Sequence, residues 1–170
     1  LKKLMILYYC VIILCIPARV VVADSSIDLS EKVQSKLKVH FIDVGQGDSA
    51  LIETPNGKHI LIDGGPPSAS SKLFEYLDEH DVTSIDLLIV THPDLDHIGG
   101  LLPIFKKYNV KEIMDSGKMY YSLTYFRYLN EIRKQDIPVN IASLGEEIRL
   151  DKNISLKVLN TADGKKDNNE

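Results

Sequence analysis

Ile89-Val90-Thr91-His92-Pro93-Asp94-Leu95-Asp96-His97-Ile98-Gly99-Gly100 is the stretch on which the reading of this chain turns. A mostly apolar run, Ile85–Val90, leads into it, and Leu101-Leu102 opens a helix-like run to Tyr108. Four ionisable side chains thus sit on a short loop between a buried strand and a helix. The loop's two imidazoles and two carboxylates are ligand types that bind hard to borderline divalent metals. In an extended segment His92, Asp94 and Asp96 can point one way. His97, at the helix start, can turn to the other side, so one loop can feed two metals. Gly99 and Gly100 let the backbone pack closely behind it. The rival reading is a polar loop in which Asp94 or Asp96 caps the helix. Capping accounts for one aspartate and leaves the interleaved histidines unexplained.

His92 to His97 resembles the His-x-His-x-Asp-His metal motif of the metallo-β-lactamase fold superfamily, with Asp94 standing where that family usually has its second His. Two further segments agree. Val39-His40-Phe41-Ile42-Asp43-Val44-Gly45-Gln46-Gly47-Asp48-Ser49 and Leu61-Ile62-Asp63-Gly64-Gly65 resemble the metallo-hydrolase domain of the ComEC-type DNA-uptake competence proteins and their stand-alone secreted relatives. The resemblance runs from about Lys38 to the end of the chain, and the Gly45–Asp48 turn is its strongest evidence for the subfamily.

That resemblance implies an α/β fold, the metallo-β-lactamase-type αββα sandwich, and a metal-dependent hydrolase. It implies two divalent metal ions, zinc or manganese: His92 and Asp94 would hold one, Asp96 and His97 the other. Asp96 would also orient the attacking water, as the catalytic residue. Aspartate at position 94 makes the first site more oxygen-rich, which brings manganese beside zinc and moves the reading away from β-lactam hydrolysis. Asp63 would lie beside the loop and hydrogen-bond its backbone or a ligand, in a supporting role; an ordinary turn aspartate is the alternative. Asp48 would contact substrate or support a ligand. His40 reads as a surface or satisfied histidine, and His59 and His80 carry no assigned role.

The 170 residues are enough for one domain with a real core, and 44% hydrophobic with 26% charged residues is ordinary for a globular protein. Residues 1–23 stand apart. Lys2 and Lys3 precede an apolar run from Leu4 to Ile16, and Val21-Val22-Ala23 ends it before Asp24. That order predicts a secretory signal peptide and a secreted, extracytoplasmic protein with no stable membrane association. The alternative is a membrane anchor through residues 4–23, although Pro17 and Arg19 break the run. A lipoprotein is weaker, because Tyr9 and Leu14 precede the two cysteines where a lipobox wants a small residue. Cleavage would take the net charge from −4 to about −7 by removing Lys2, Lys3 and Arg19. It would also remove both cysteines, leaving histidine and carboxylate as the metal ligands. An acidic surface does not favour non-specific binding to duplex DNA.

Residues 24–36 read as a linker, and 37–170 as the hydrolase domain. Alternation predicts a strand over Leu37–Asp43, then strands over Ser49–Glu53 and Lys58–Asp63 joined by the Asn56-Gly57 hairpin turn. Helices are expected over Ser68–His80, after the metal loop to Tyr108, and over Ser122–Gln135 with Phe126, Leu129 and Ile132 on its apolar face. Strands are expected over Ile85–Val90, Val110–Met114, Val139–Ala142, Glu147–Leu150 and Ile154–Leu159. In the resembled family a polar loop like Asp167-Asn168-Asn169 leads into a further strand, a bridging Asp and a late His. The expectation is therefore an N-terminal half, a fragment with an incomplete sandwich that binds metal weakly and is inactive alone. Two function classes stay open. One is a secreted hydrolase of a small-molecule or nucleic-acid phosphodiester substrate, with acyl esters or lactones as runner-up. The other is a non-catalytic binding or accessory domain.

Overall fold

The computed structural model describes residues 36–161. The expected signal peptide, almost all of the linker and the tail from residue 162 lie outside the described residues.

The chain enters as a meander. β1 (Lys38–Phe41), β2 (Ala50–Glu53) and β3 (His59–Ile62) pair antiparallel. Asn56-Gly57 turns the second hairpin: Gly57 has φ +77° and donates its amide to Thr54 at 2.9 Å. β4 (Ser84–Ile85) and β5 (Leu87–Val90) follow, then β6 (Asn109–Val110), β7 (Ile113–Asp115) and β8 (Val139–Ile141). β5 joins β3 in parallel, and β7 and β8 add in parallel beyond it, so the main sheet runs β1-β2-β3-β5-β7-β8. β4 and β6 form a separate short parallel pair. β9 (Glu147–Asp151) and β10 (Ile154–Lys157) close an antiparallel hairpin.

Side-chain alternation sorts these strands into two cores. Leu51, Leu61, Leu88, Val90 and Ile113 pack with buried residues of α1 (Ser70–Glu79), α2 (Leu95–Ile98), α3 (Leu101–Lys107) and α4 (Leu123–Gln135). On the other face Ile52, Ile60, Leu87 and Met114 pack against Leu150 and the partly buried Ile148, Ile154 and Leu156 of the β9–β10 hairpin. Helices, main sheet and hairpin make successive layers. They are the first three layers of the expected αββα order, with the described helices on one side.

Some expected elements are refined. The strand over Ile85–Val90 splits at Asp86, whose carboxylate leaves the apolar pattern to accept the His59 amide at 2.9 Å and Lys111 Nζ at 2.6 Å. The helix after the metal loop is two, α2 and α3, meeting at Gly99-Gly100. On α4 the buried stripe is Tyr125, Tyr128 and Ile132, whereas Phe126 and Leu129 are exposed. The tyrosines win the interior because the fully buried Tyr128 hydroxyl has a partner, donating to Asp115 at 2.8 Å. Burial and that carboxylate push the Tyr128 phenol far above its ordinary value. Tyr128→Phe is expected to cost about 1–2 kcal/mol by removing one of Asp115's donors. Urea denaturation checks this: an unchanged midpoint would show that the bond contributes nothing.

β1 also differs from its sequence pattern. Val39 and Phe41 are exposed, Phe41 at 87%, and His40 is the partly buried residue between them.

Candidate metal centre

β5 delivers the motif loop to the end of the sheet. Asp94 occupies the N-cap position of α2 with extended backbone, yet its carboxylate makes no capping hydrogen bond. Its carbonyl instead accepts the amides of His97 and Ile98 at 3.0 Å. Capping thus leaves the Asp94 side chain unused, and one of its oxygens lies 3.5 Å from Nε2 of His92.

Asp63 sets the geometry of the loop. It follows β3, is 1% exposed, and holds φ at +53°, a conformation aspartate tolerates better than most residues. Oδ1 accepts the Thr91 amide at 2.9 Å. Oδ2 accepts the Thr91 hydroxyl at 2.5 Å and lies 2.9 Å from Nδ1 of His97. An ionised carboxylate only accepts, so the His97 proton belongs on Nδ1 and Nε2 is left as a lone-pair donor. The same logic continues through Thr91. Its hydroxyl proton goes to Asp63, so its oxygen accepts from Nδ1 of His92 at 3.0 Å. One buried carboxylate thereby fixes both tautomers and leaves Nε2 of each imidazole for an ion.

Burial opposes charge on His97, but the Asp63 hydrogen bond and the carboxylates of Asp63, Asp96 and Asp48 outweigh it and hold its pKa above the ordinary histidine value. His92 goes the other way: burial and the neighbouring His97 lower it against the pull of Asp94, Asp63 and Asp96. The two rings lie 3.6 Å apart, centroid to centroid. The lowered His92 offers Nε2 readily, whereas the raised His97 favours its imidazolium, so an ion at its Nε2 would have to displace a proton.

The turn Gly45–Asp48 overhangs this loop. Asp48 is largely exposed, and one of its oxygens lies 3.9 Å from Nε2 of His97. Gly47 has φ +122°, and a Cβ there would overlap the carbonyl oxygen of Asp96. Behind the loop, Gly64 donates to the His97 carbonyl at 2.8 Å and Gly100 donates to Gly65 at 2.8 Å. His92, Asp94, Asp96, His97 and Asp48 together line one cleft of about 810 Å³. His92 also reaches a more apolar cleft of about 420 Å³ on the hairpin side, beside Met114, Ile148 and Leu156.

The spacing of His92 and Asp94 fits one divalent ion. Ligand atoms on one tetrahedral zinc are roughly 3.3 Å apart, close to the His92–Asp94 separation of 3.5 Å. Among the described residues, though, the trio brought within 4.8 Å of one another is elsewhere: His40, Glu53 and His80. The sequence gives none of these three a ligand role. Nothing in the sequence points to this trio: alternation leaves the inward face of β1 open, and His40 proves to be the partly buried residue between exposed Val39 and Phe41.

The metallo-beta-lactamase superfamily model matches residues 42–164. The chain belongs to that superfamily. It is 33% identical over 99 residues to ComE operon protein 3 of Bacillus subtilis (strain 168), covering 48% of this chain and 13% of that protein. It is 39% identical over 89 residues to Recombination protein 2 of Haemophilus influenzae, covering 49% and 11%. Endoribonuclease ysh1 of Schizosaccharomyces pombe matches at 27% over 94 residues, covering 52% and 12%. The chain thus spans roughly an eighth of the length of these curated relatives. Among solved structures, metallo-beta-lactamase SMB-1 in complex with mercaptoacetic acid superposes with a TM-score of 0.50 at 17% identity, over 70% of this chain and 48% of that one. That likeness shows the fold. The superfamily and ComEC-type resemblance drawn from the motifs are both borne out.

Proposed function

We propose that this chain belongs to a secreted, divalent-metal-dependent hydrolase that cleaves phosphodiesters in a nuclease-like reaction. His92 and Asp94 would hold one ion, Asp96 and His97 a second. The observation that carries the reading is the Asp63–Thr91 hydrogen-bond chain, which presents Nε2 of both histidines beside Asp94 and Asp96 in one cleft. Bound zinc or manganese would supply Lewis acidity toward a phosphoryl oxygen and toward water near neutral pH. The protein's own part is positional. Asp63 locks the imidazoles, Asp96 orients the attacking water, and the Gly45–Asp48 turn bounds the substrate side. The oxygen-rich pairing at Asp94 and the endoribonuclease relatives support a phosphodiester over a β-lactam. Export rests on the basic-apolar-small order of residues 1–23. Among the described residues, no helix is long and apolar enough to cross a membrane.

The test is a titration of the purified intact protein, beside this chain alone, with manganese and with zinc, assayed on bis(4-nitrophenyl) phosphate and on 4-nitrophenyl acetate. Phosphodiester turnover by the intact protein that falls about 10- to 100-fold in His97→Ala, together with metal affinity, and little or none by this chain alone, is the expected result. Ester cleavage alone would favour the acyl-hydrolase reading. Metal uptake by the intact protein without turnover of either substrate would favour an accessory binding domain.

A further inference from the structure

His40, Glu53 and His80 meet where the outer strands pack on the far end of α1. One ligand atom from each lies within 4.8 Å of the others. His40 and Glu53 stand on the paired strands β1 and β2, and His80 is the residue that ends α1. α1 begins next to the Gly64–Pro66 turn behind the motif loop and runs ten residues away from it, about 15 Å. The cluster is therefore separate from His92–His97.

Tyr76 holds both histidines through Nδ1. The His80 Nδ1 lies 2.8 Å from the Tyr76 carbonyl and so donates to it. The His40 Nδ1 lies 2.8 Å from the Tyr76 hydroxyl. The Tyr76 and His80 rings also stack at 4.3 Å, and the His40 and His80 rings meet edge-on at 4.7 Å. Fixing Nδ1 orients each ring and leaves Nε2 available, as for a metal-ligating histidine. On the acidic side Lys38 occupies Oε2 of Glu53 at 2.9 Å, which leaves Oε1.

What faces the centre is unsatisfied. His40 Nε2 and Glu53 Oε1 are 3.0 Å apart and inaccessible to solvent, and neither makes a hydrogen bond. Two lone-pair atoms buried at that distance repel unless a cation lies between or beside them. A proton on Nε2 of His40 would make the 3.0 Å contact an ion pair with Glu53, but one without a hydrogen bond and without a direct contact from His80. A metal ion uses all three groups. Two histidines and a glutamate are an established zinc donor set, and the 3.0 Å separation is near the roughly 3.3 Å of tetrahedral zinc ligands.

We propose that His40, Glu53 and His80 form a zinc site of their own that clamps edge strand β1, through β2, to the end of α1. The experiment uses the full chain and zinc alone, with affinity measured by calorimetry and the thermal midpoint followed with and without zinc. Cobalt(II) substitution adds a visible spectrum that reports low-coordinate histidine ligation. Zinc binding, the zinc-dependent rise in midpoint and the cobalt bands should persist in His92→Ala. Adding His80→Ala to His92→Ala should weaken the remaining binding more than about tenfold and abolish the remaining rise. His80 lies at a partly exposed helix end, so that variant keeps its fold by circular dichroism even where His40→Gln does not. Undiminished binding when His80→Ala and Glu53→Gln are each added to His92→Ala, or loss of all binding in His92→Ala, would overturn the proposal.

Discussion

Asp63→Ala is expected to lower the thermal midpoint by about 10–20 °C and to weaken metal binding at the motif loop in the same protein. The carboxylate serves the Thr91 amide, the Thr91 hydroxyl and His97 Nδ1 from a position 1% exposed. Removing it strands the His97 donor in the interior and takes the acceptor from both donors of exposed Thr91, at about 1–3 kcal/mol for each that finds no water. Alanine at φ +53° adds backbone strain. The total, about 3–5 kcal/mol, is a large part of a typical domain's stability. Asp63→Asn separates the two roles. Asparagine tolerates the same backbone and can still accept the Thr91 amide, so most of the stability should return. It cannot accept every bond with the same strength, and the tautomers of His92 and His97 lose their common anchor, so metal affinity should stay low. Paired melting curves and zinc titrations of both variants check this. Equal affinity in wild type and Asp63→Asn would show that the loop orients its histidines without Asp63.

The second large effect is expected at Gly100, where alanine should cost about 3 kcal/mol. Its φ of −75° is ordinary, so conformational freedom is not the reason for glycine there. A Cβ would overlap the backbone carbonyl of Gly64. Backbone on both sides leaves no flexible side chain to give way, and retreat of α3 would break the 2.8 Å bond from Gly100 to Gly65. Gly45→Ala is the comparison: φ is +79° but nothing lies within 4 Å of the added methyl, so its cost should stay near 1 kcal/mol. Urea denaturation of the two variants gives the contrast. A loss at Gly100 no larger than that at Gly45 would show that α3 slides off the Gly64–Gly65 turn without penalty.

Much of the fold is legible in the sequence. The strands of the meander, the Asn56-Gly57 turn and the strand-to-helix position of the motif follow from local signals: alternation, a two-residue turn and an abrupt change of period. The superfamily followed from three short segments in the right order. Long-range choices were harder. Phe126 and Leu129 look like core residues of α4 by spacing, but the interior went to Tyr125 and Tyr128 because Asp115, from a strand more than a turn away in sequence, offers a hydroxyl partner. The alternation over Leu37–Asp43 locates a strand without telling which face is inward on a sheet edge; it is His40 that turns in. His40 and His80 are forty residues apart in sequence, and only the packing of α1 on the β1–β2 pair shows that they meet.

The parallel pairing of β5 with β3 has a consequence for the order in which this protein assembles. The meander closes through short connections, whereas β5 reaches β3 only after a crossover that includes α1. Long crossovers close late, because their entropy is lost before any contact repays it. Asp63 is thus in place at the end of the meander while Thr91, His92 and His97 are still on a free chain. The motif acquires its donor geometry at the moment β5 docks. An ion bound at the loop would therefore act after the strand register has been chosen, slowing departure of β5 rather than nucleating its arrival. The Thr91 amide, bonded to Asp63 across that junction, is the hydrogen whose exchange reports when the junction opens.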